Sequence, residues 1–339
     1  MHLAFALLLA AALCPTSFSS TCGQLQDKVR YCARLTYDGT GFKGWQDQAA
    51  SGTSSRVRTV QGVVSDKVSL RFNSKIRVTG ASRTDGNVHA KGQAVHFDLP
   101  YDIATTYNDI PYDVSNIYAM YNDIAAKNSA RNRESLQKIQ FSLNRILPDD
   151  VRIFNLSIAP AGEPDDVTNP VGDVMWHATR SATHKLYSYR FCTNEFVCPT
   201  RRRYVAHFYR PFDMALFKRS LEVFVGTHDF SAFTNRVDHT TAEFKDKGFD
   251  FNTVKRINSV ELLDEGGGYY CVNVNVESAL YRMVRNIVGS SLLVAVDERF
   301  MSLATLQRLL REAPGRAENP AGSAPPEGLC LEHVFYNNF

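Results

Sequence analysis

The sequence predicts an α+β fold, with a largely antiparallel sheet flanked by helices. Alternating apolar residues mark strands, as in Tyr270, Val272, Val274 and Val276, because successive strand side chains point to opposite faces. Stripes such as Met214, Phe217, Leu221 and Phe224 follow helical spacing instead. Strands and helices are interspersed with no run of βαβ units, which favours antiparallel pairing. A chain of 339 residues with 44% hydrophobic content supports a sizeable core, in two halves that divide near residue 175.

Residues 1–26 stand apart from that fold. Leu3 to Leu13 is nearly all apolar and runs into Cys14-Pro15-Thr16-Ser17. This is too short for a membrane span and similar to the apolar region of a secretory signal. No arginine precedes Arg30, unlike an ordinary mitochondrial presequence. The segment reads as a signal, the front of a two-part organelle address, or the product of a misplaced start codon. An organelle (plastid or mitochondrion) is the expected location, with cytoplasm or nucleus as the alternative. No membrane association is expected of the mature chain.

The N-terminal half, 27–175, opens with a strand. Tyr31, Ala33, Leu35 and Tyr37 alternate with Cys32, Arg34 and Thr36 before the turn formers Asp38-Gly39-Thr40-Gly41. Thr59 is placed to cap a helix carrying Val60, Val63, Val64 and Val68 on one side. Ile76 and Val78 predict a strand before a polar loop, and Val95 and Phe97 another after it. Residues 101–135, rich in Tyr, Asn, Asp and Ser without a sustained period, read as an exposed insertion. A helix from Ser135 to Arg145 ends at Leu147-Pro148, a strand covers Val151–Ile158, and Ala161–Asp173 is a loop.

In the C-terminal half, 176–339, Thr183 to Cys192 reads as a strand. Tyr187, Tyr189 and Phe191 face opposite to Leu186, Ser188 and Arg190. Asp213 caps the Met214 helix. The strand ending at Val276 leads through Glu277-Ser278-Ala279 into a helix with Met283, Val284, Ile287, Val288 and Leu292. A helix at Leu303–Arg311, a Pro/Gly/Ala-rich stretch from Pro314 to Gly328 and a strand at Leu329–Phe335 follow.

The net charge of +3 identifies no anionic partner by itself. Arg201-Arg202-Arg203 with Tyr204, His207 and Tyr209, and Arg131 with Arg133, suit phosphate contact and base stacking. A solvated surface explains them equally well. The seven cysteines include no C-x-x-C pair, which argues against a zinc ribbon or a redox dithiol. Cys192, Cys198, His184 and His207 do not have ligand spacing, so buried free thiols are the better reading.

The residues with most chemical potential are in Thr79-Gly80-Ala81-Ser82-Arg83-Thr84-Asp85-Gly86-Asn87-Val88-His89-Ala90. Here a carboxylate, Asp85, sits in a short loop next to strands, a rigid mount for a reactive group. Arg83, two residues earlier, adds a positive charge that favours a charged carboxylate. Such a group acts as a nucleophile or general base. A plain polar turn is the competing reading, since Asp, Gly and Asn populate turns for backbone reasons alone. An Asp/His hydrolase using His89 has little support, for the chain has no serine or cysteine nucleophile motif.

Five segments in order give that loop its context. They are Leu35-Thr36-Tyr37-Asp38-Gly39-Thr40 with Gly44-Trp45-Gln46; Thr59-Val60-Gln61-Gly62; and Arg83-Thr84-Asp85 with Val88-His89-Ala90. Trp176-His177-Ala178 running into Lys185-Leu186-Tyr187-Ser188-Tyr189 is the fourth, and Met283-Val284-Arg285-Asn286-Ile287-Val288-Gly289 the fifth. Glu327-Gly328-Leu329 also fits. Together they resemble the tRNA pseudouridine synthases of the bacterial TruA type, over roughly residues 30–335 apart from the insertion.

The resemblance implies the pseudouridine synthase fold, whose two halves share the sheet around a central RNA-binding cleft. It implies an isomerase that converts uridine to pseudouridine in the anticodon stem-loop of tRNA, without metal or organic cofactor. Asp85 would be the nucleophile or base, with Tyr187 and Arg285 as its catalytic partners. Arg83, His89 and Tyr187 would bind substrate. A cation such as Arg285 within an apolar helix turn is costly unless paired. A homodimer with tRNA as partner is expected, and a catalytically silent tRNA-binding relative is the alternative. The chain departs from the family at Gly86-Asn87, where a small residue and then glycine are usual. Asn tolerates left-handed angles, so the turn is expected to survive.

Overall fold

The computed structural model describes residues 28–47, 57–100, 102–104, 130–160, 176–235 and 252–339. The segment expected at 1–26, most of the insertion expected at 101–135 and the loop expected at Ala161–Asp173 lie outside them.

Among the described residues ten strands form a single mixed sheet. In chain order they are β1 (Lys28–Tyr37), β2 (Thr79–Gly80), β3 (His89–Pro100), β4 (Val151–Ile158) and β5 (His184–Cys192). Then come β6 (Ala206–His207), β7 (Gly226–Asp229), β8 (Val254–Gly266), β9 (Tyr269–Val276) and β10 (Leu329–Phe335). Their spatial order is β4-β1-β3-β10-β5-β9-β8-β7, with β2 added to β3 and β6 to β5. Pairing is antiparallel except for β10 with β3 and β5 with β6. The sheet therefore joins an early set of strands to a late set at one parallel seam. There Cys330 pairs with His89 and Leu331 with Ala90.

Glu332 ties that seam together. Its Oε1 accepts from Ser188 Oγ at 2.5 Å, Arg190 Nη1 at 3.0 Å and Lys91 Nζ at 3.0 Å. Those donors belong to β5 and β3, so one carboxylate links three strands where backbone pairing is short.

Helices α1 (Val60–Phe72), α2 (Ala130–Ile146), α3 (Met214–Glu222), α4 (Met283–Val296) and α5 (Leu303–Glu312) flank the sheet. Side-chain caps define three of their starts. Thr59 Oγ1 accepts from Gly62 N at 3.3 Å, Asp213 Oδ1 from Leu216 N at 2.9 Å, and Ser302 Oγ from Thr305 N at 3.1 Å. Phe72 of α1 meets Phe97 of β3, which stacks on Tyr31 of β1. Phe217 of α3 meets Phe191 of β5 edge to face, with centroids 5.6 Å apart. Each fully buried aromatic stabilises the fold by about 1.5–3 kcal/mol through removal from water.

Two expectations change. The helix expected from Ser135 starts at Ala130, because Arg131-Asn132-Arg133-Glu134 carries no apolar stripe to reveal its period. Ile76 and Val78 are buried, yet only Thr79–Gly80 pairs as a strand. The backbone before it is bound by α1 side chains. Ile76 N donates to Ser69 Oγ at 2.9 Å, Val78 N to Ser65 Oγ at 3.0 Å, and Val78 O accepts from Gln61 Nε2 at 2.9 Å. With its polar groups satisfied this way, the segment needs no strand neighbour.

Candidate active site

The loop between β2 and β3 is held from behind by the segment Phe42–Gln46. Trp45 N donates to Thr84 O at 2.9 Å and Asn87 N to Phe42 O at 3.2 Å. Gly44, at φ +102°, lies so close that an added Cβ would stand 2.7 Å from Thr84 O. Thr84 Oγ1 is also 2.8 Å from the Tyr37 hydroxyl. Gln93 of β3 closes the other side. Its Oε1 accepts from Ser82 N at 3.2 Å and its Nε2 donates to Ser82 O at 2.6 Å. Asn87 takes φ +63°, the left-handed geometry that a glycine would otherwise supply.

That rigid loop aims Asp85 at α4. Arg285 Nη1 donates to Asp85 Oδ2 at 2.7 Å, with the two side chains only 9% and 14% exposed. Arg285 Nε is fixed in turn by Ala324 O at 2.8 Å. The pair cancels two poorly solvated charges, either of which would be costly alone. Tyr187 of β5 is buried, its hydroxyl 2.9 Å from Ser82 Oγ. Burial pushes its pKa up to about 12; Ser82 offsets this in part, and the Asp85 charge adds to it. The phenol is therefore protonated at neutral pH.

Arg83, Asp85 and Tyr187 line a common cleft with Ser82, Arg282 and Leu329. Its free volume is about 40 Å³, room for only a few waters. A six-membered ring needs more, so entry of a planar ligand of that size requires the rim to move, as interface side chains commonly do on binding. Larger grooves of about 320 and 340 Å³ lie beside Tyr209 and Arg210 and contain none of these groups.

Not every expected residue meets at the cleft. His89 does not line it. Its Nδ1 accepts from Gly39 N at 3.0 Å and its ring packs on Tyr204 at 4.9 Å. Asp38 Oδ1 is 3.3 Å from the same nitrogen, but burial outweighs that charge and lowers the imidazole pKa. A neutral His89 thus positions the turn after β1.

The arginine run is also partly committed to the fold. Arg203 Nη1 is 3.8 Å from Asp38, while Arg201 lies over Tyr269 and 3.6 Å from Glu265. Trp176-His177-Ala178 is scaffold too: Ala178 N donates to His96 Nδ1 at 3.2 Å, and Thr179 Oγ1 to Gly80 O at 3.0 Å. Ser82 and Arg282 line the cleft although the sequence did not single them out. Ser82 precedes Arg83 in an obvious loop, whereas nothing in the pattern distinguishes Arg282 from a surface arginine. Among the described residues no group of three His, Cys, Asp or Glu side chains could hold a metal ion. No described helix is long and apolar enough to cross a membrane.

A mixed sheet whose seam presents a carboxylate paired to arginine, beside a protonated phenol, defines an enzyme cleft suited to nucleophilic or base chemistry. Comparison with known proteins makes this specific. Residues 221–337 match the family model described as tRNA pseudouridine synthase. The chain is 32% identical over 312 residues to tRNA pseudouridine synthase A of Leuconostoc citreum, covering 91% of this chain and 97% of that protein. It is 30% identical over 311 residues to tRNA pseudouridine synthase A 1 of Protochlamydia amoebophila, with the same coverage of both. It is 28% identical to tRNA pseudouridine synthase A of Streptococcus mutans, over 91% of this chain and 100% of that one. The chain belongs to the tRNA pseudouridine synthase A (TruA) family of isomerases.

Proposed function

We propose that this chain isomerises uridine to pseudouridine in the anticodon stem-loop of tRNA, with Asp85 as catalytic nucleophile or base. The observation that carries the reading is the Asp85–Arg285 pair, set beside Tyr187 in a cleft of a chain whose relatives bear that activity in their names. The reaction moves a base within one nucleoside and draws no group from a cofactor; only protons are exchanged. The N1–C1′ bond breaks, the uracil turns, C5 bonds to C1′, and the C5 proton is replaced by one at N1. Asp85 starts this by attacking ribose or base, or by taking a ribose proton; its bond breaks, or the proton is returned, as C5 bonds to C1′, so the carboxylate is regenerated. Arg285 keeps the carboxylate aimed and its charge compensated. Tyr187 supplies a ring for the base to stack on and a hydroxyl that relays the C5 proton.

The target base has to leave its stack to reach Asp85. Arg83, exposed and lining the cleft, is the group that holds the extruded nucleotide or its phosphate. A homodimer with tRNA lying across both subunits completes the proposal.

The test is to incubate the purified full chain with unmodified tRNA and map pseudouridine by position. New pseudouridine in the anticodon arm is the expected result. Tight tRNA binding with no pseudouridine anywhere would instead identify a catalytically silent relative.

A further inference from the structure

We infer that Arg282 is a phosphate-binding residue of the substrate site, gripping the RNA backbone beside the uridine while Arg83 grips it from the facing loop. The inference rests on the RNA-substrate reading above and adds a residue to it.

The first support is charge. Arg83 and Arg282 both line the cleft, and the carboxylate that lines it with them, Asp85, is already paired with Arg285. Tyr187 is protonated and contributes no charge to offset them. Neither Arg83 nor Arg282 has an acidic partner among the described residues. Two uncompensated guanidinium groups at one cleft favour an anionic ligand.

The second support is the backbone. Arg282 takes φ 60°, ψ 7°, a left-handed conformation, at the N-cap of α4. That geometry costs free energy for any residue with a Cβ, and such strain persists mainly where function requires it. The location is also electrostatically wrong for a cation, because helix N-termini favour negative charge. Neither fact fits an arginine retained for stability. An anion bound there would reverse the unfavourable charge.

The third support is an unsatisfied donor. Arg282 Nε is buried without a hydrogen-bond partner. The Tyr281 ring, 5.1 Å from the guanidinium carbon, steadies the head group but accepts none of its in-plane N–H bonds. A phosphate presents paired oxygens that match the guanidinium fork. Holding the backbone on both sides of one nucleotide is what extruding its base demands.

The test uses Arg282→Gly and Arg282→Lys in the full chain, with an unmodified tRNA transcript as the probe. Glycine adopts the left-handed geometry freely, so Arg282→Gly should melt at or above the wild-type temperature. It should nevertheless bind the transcript about tenfold more weakly, as expected for a lost charge-assisted bond. The slope of log affinity against log salt should fall by about one. Arg282→Lys should keep the wild-type slope and lose less affinity. A folded Arg282→Gly protein with wild-type slope and affinity overturns the inference. So does a large drop in melting temperature with unchanged salt dependence, which would make Arg282 a structural residue. Mapping of product by the wild-type chain is scored separately. A reduced slope with no wild-type pseudouridine would leave the phosphate contact standing and remove the catalytic reading.

Discussion

Arg285 on α4 and Asp85 on the β2–β3 loop stand 200 positions apart in sequence and 2.7 Å apart in space. The bond joins the early strands to the late helix across the parallel seam. It is therefore both a structural tie and the means by which the carboxylate is aimed. Because Arg285 is itself fixed by Ala324 O, Asp85 has little freedom to turn away from the cleft.

Asp85→Asn separates those two roles. The amide keeps an oxygen to accept from Arg285 but cannot act as nucleophile or base. We expect pseudouridine formation to fall below detection while tRNA affinity stays within about twofold of wild type. Stability should drop by about 1–3 kcal/mol, since the poorly solvated Arg285 charge loses its compensating carboxylate. Single-turnover assays with labelled tRNA, together with urea melts, check both. Residual turnover above a few per cent removes Asp85 from the chemical step.

The sequence made most of this scaffold legible, for identifiable reasons. Helix caps at Thr59 and Asp213 were readable because one side-chain oxygen serves one amide at a fixed offset. Strands at Val151–Ile158 and Leu329–Phe335 showed themselves through apolar residues bounded by turns. β8 did not, because it is exposed along most of its length and carries Lys255, Arg256, Glu261, Asp264 and Glu265. Its pairing between β7 and β9 is a tertiary fact without local signature. His89 stands away from the cleft for a related reason. Proximity to Asp85 in sequence made it a site candidate, but it packs on Tyr204 and the turn after β1. Arg282 was invisible because its meaning depends on a backbone angle and an unsatisfied donor.

Tyr187→Phe tests the proton relay. The variant keeps the stacking ring and loses the hydroxyl bonded to Ser82. A group that moves a proton in the rate-limiting step contributes about 10²–10⁴-fold, so kcat should fall at least a hundredfold with little change in tRNA affinity. With the phenol pKa pushed up to about 12, the wild-type rate should show no titration of this group below about pH 11. A Phe variant with near wild-type kcat reduces Tyr187 to a stacking platform.

His96 predicts a pH-dependent stability that has nothing to do with catalysis. Burial first, then the charges of Arg30 and His177, push its pKa from 6.5 down to about 3. Ala178 N–H donates to its Nδ1, which fits a neutral ring. Between pH 6.5 and 3 the unfolded chain binds the extra proton, so stability is full above 6.5 and falls as pH drops. The limiting slope is about 1.4 kcal/mol per pH unit. Asp98, whose pKa burial would raise but Arg30 lowers overall, adds its own loss only as pH falls below its ordinary value of 3.8. His96→Gln should flatten urea-melt stability between pH 6.5 and about 4.5. An unchanged slope in that variant assigns the acid sensitivity elsewhere.

Asn87 decides whether the family departure beside Asp85 matters. Its side chain is exposed, so substitution there reports on backbone geometry rather than packing. The φ of +63° is tolerated by Asn, preferred by Gly and opposed by a β-branched residue. Asn87→Gly should equal or exceed wild-type stability, whereas Asn87→Val should lose about 1–2 kcal/mol. Because Asn87 N also holds the loop to Phe42 O, Val should shift Asp85 relative to Arg285. That displacement should lower kcat more than it raises KM, since in the proposed mechanism the carboxylate acts in the chemical step while Arg83 binds the RNA. If the Val variant matches wild type in melting and in turnover, the loop is not held by this residue. The aim of Asp85 would then depend on Gly44, Gln93 and the Arg285 bond alone.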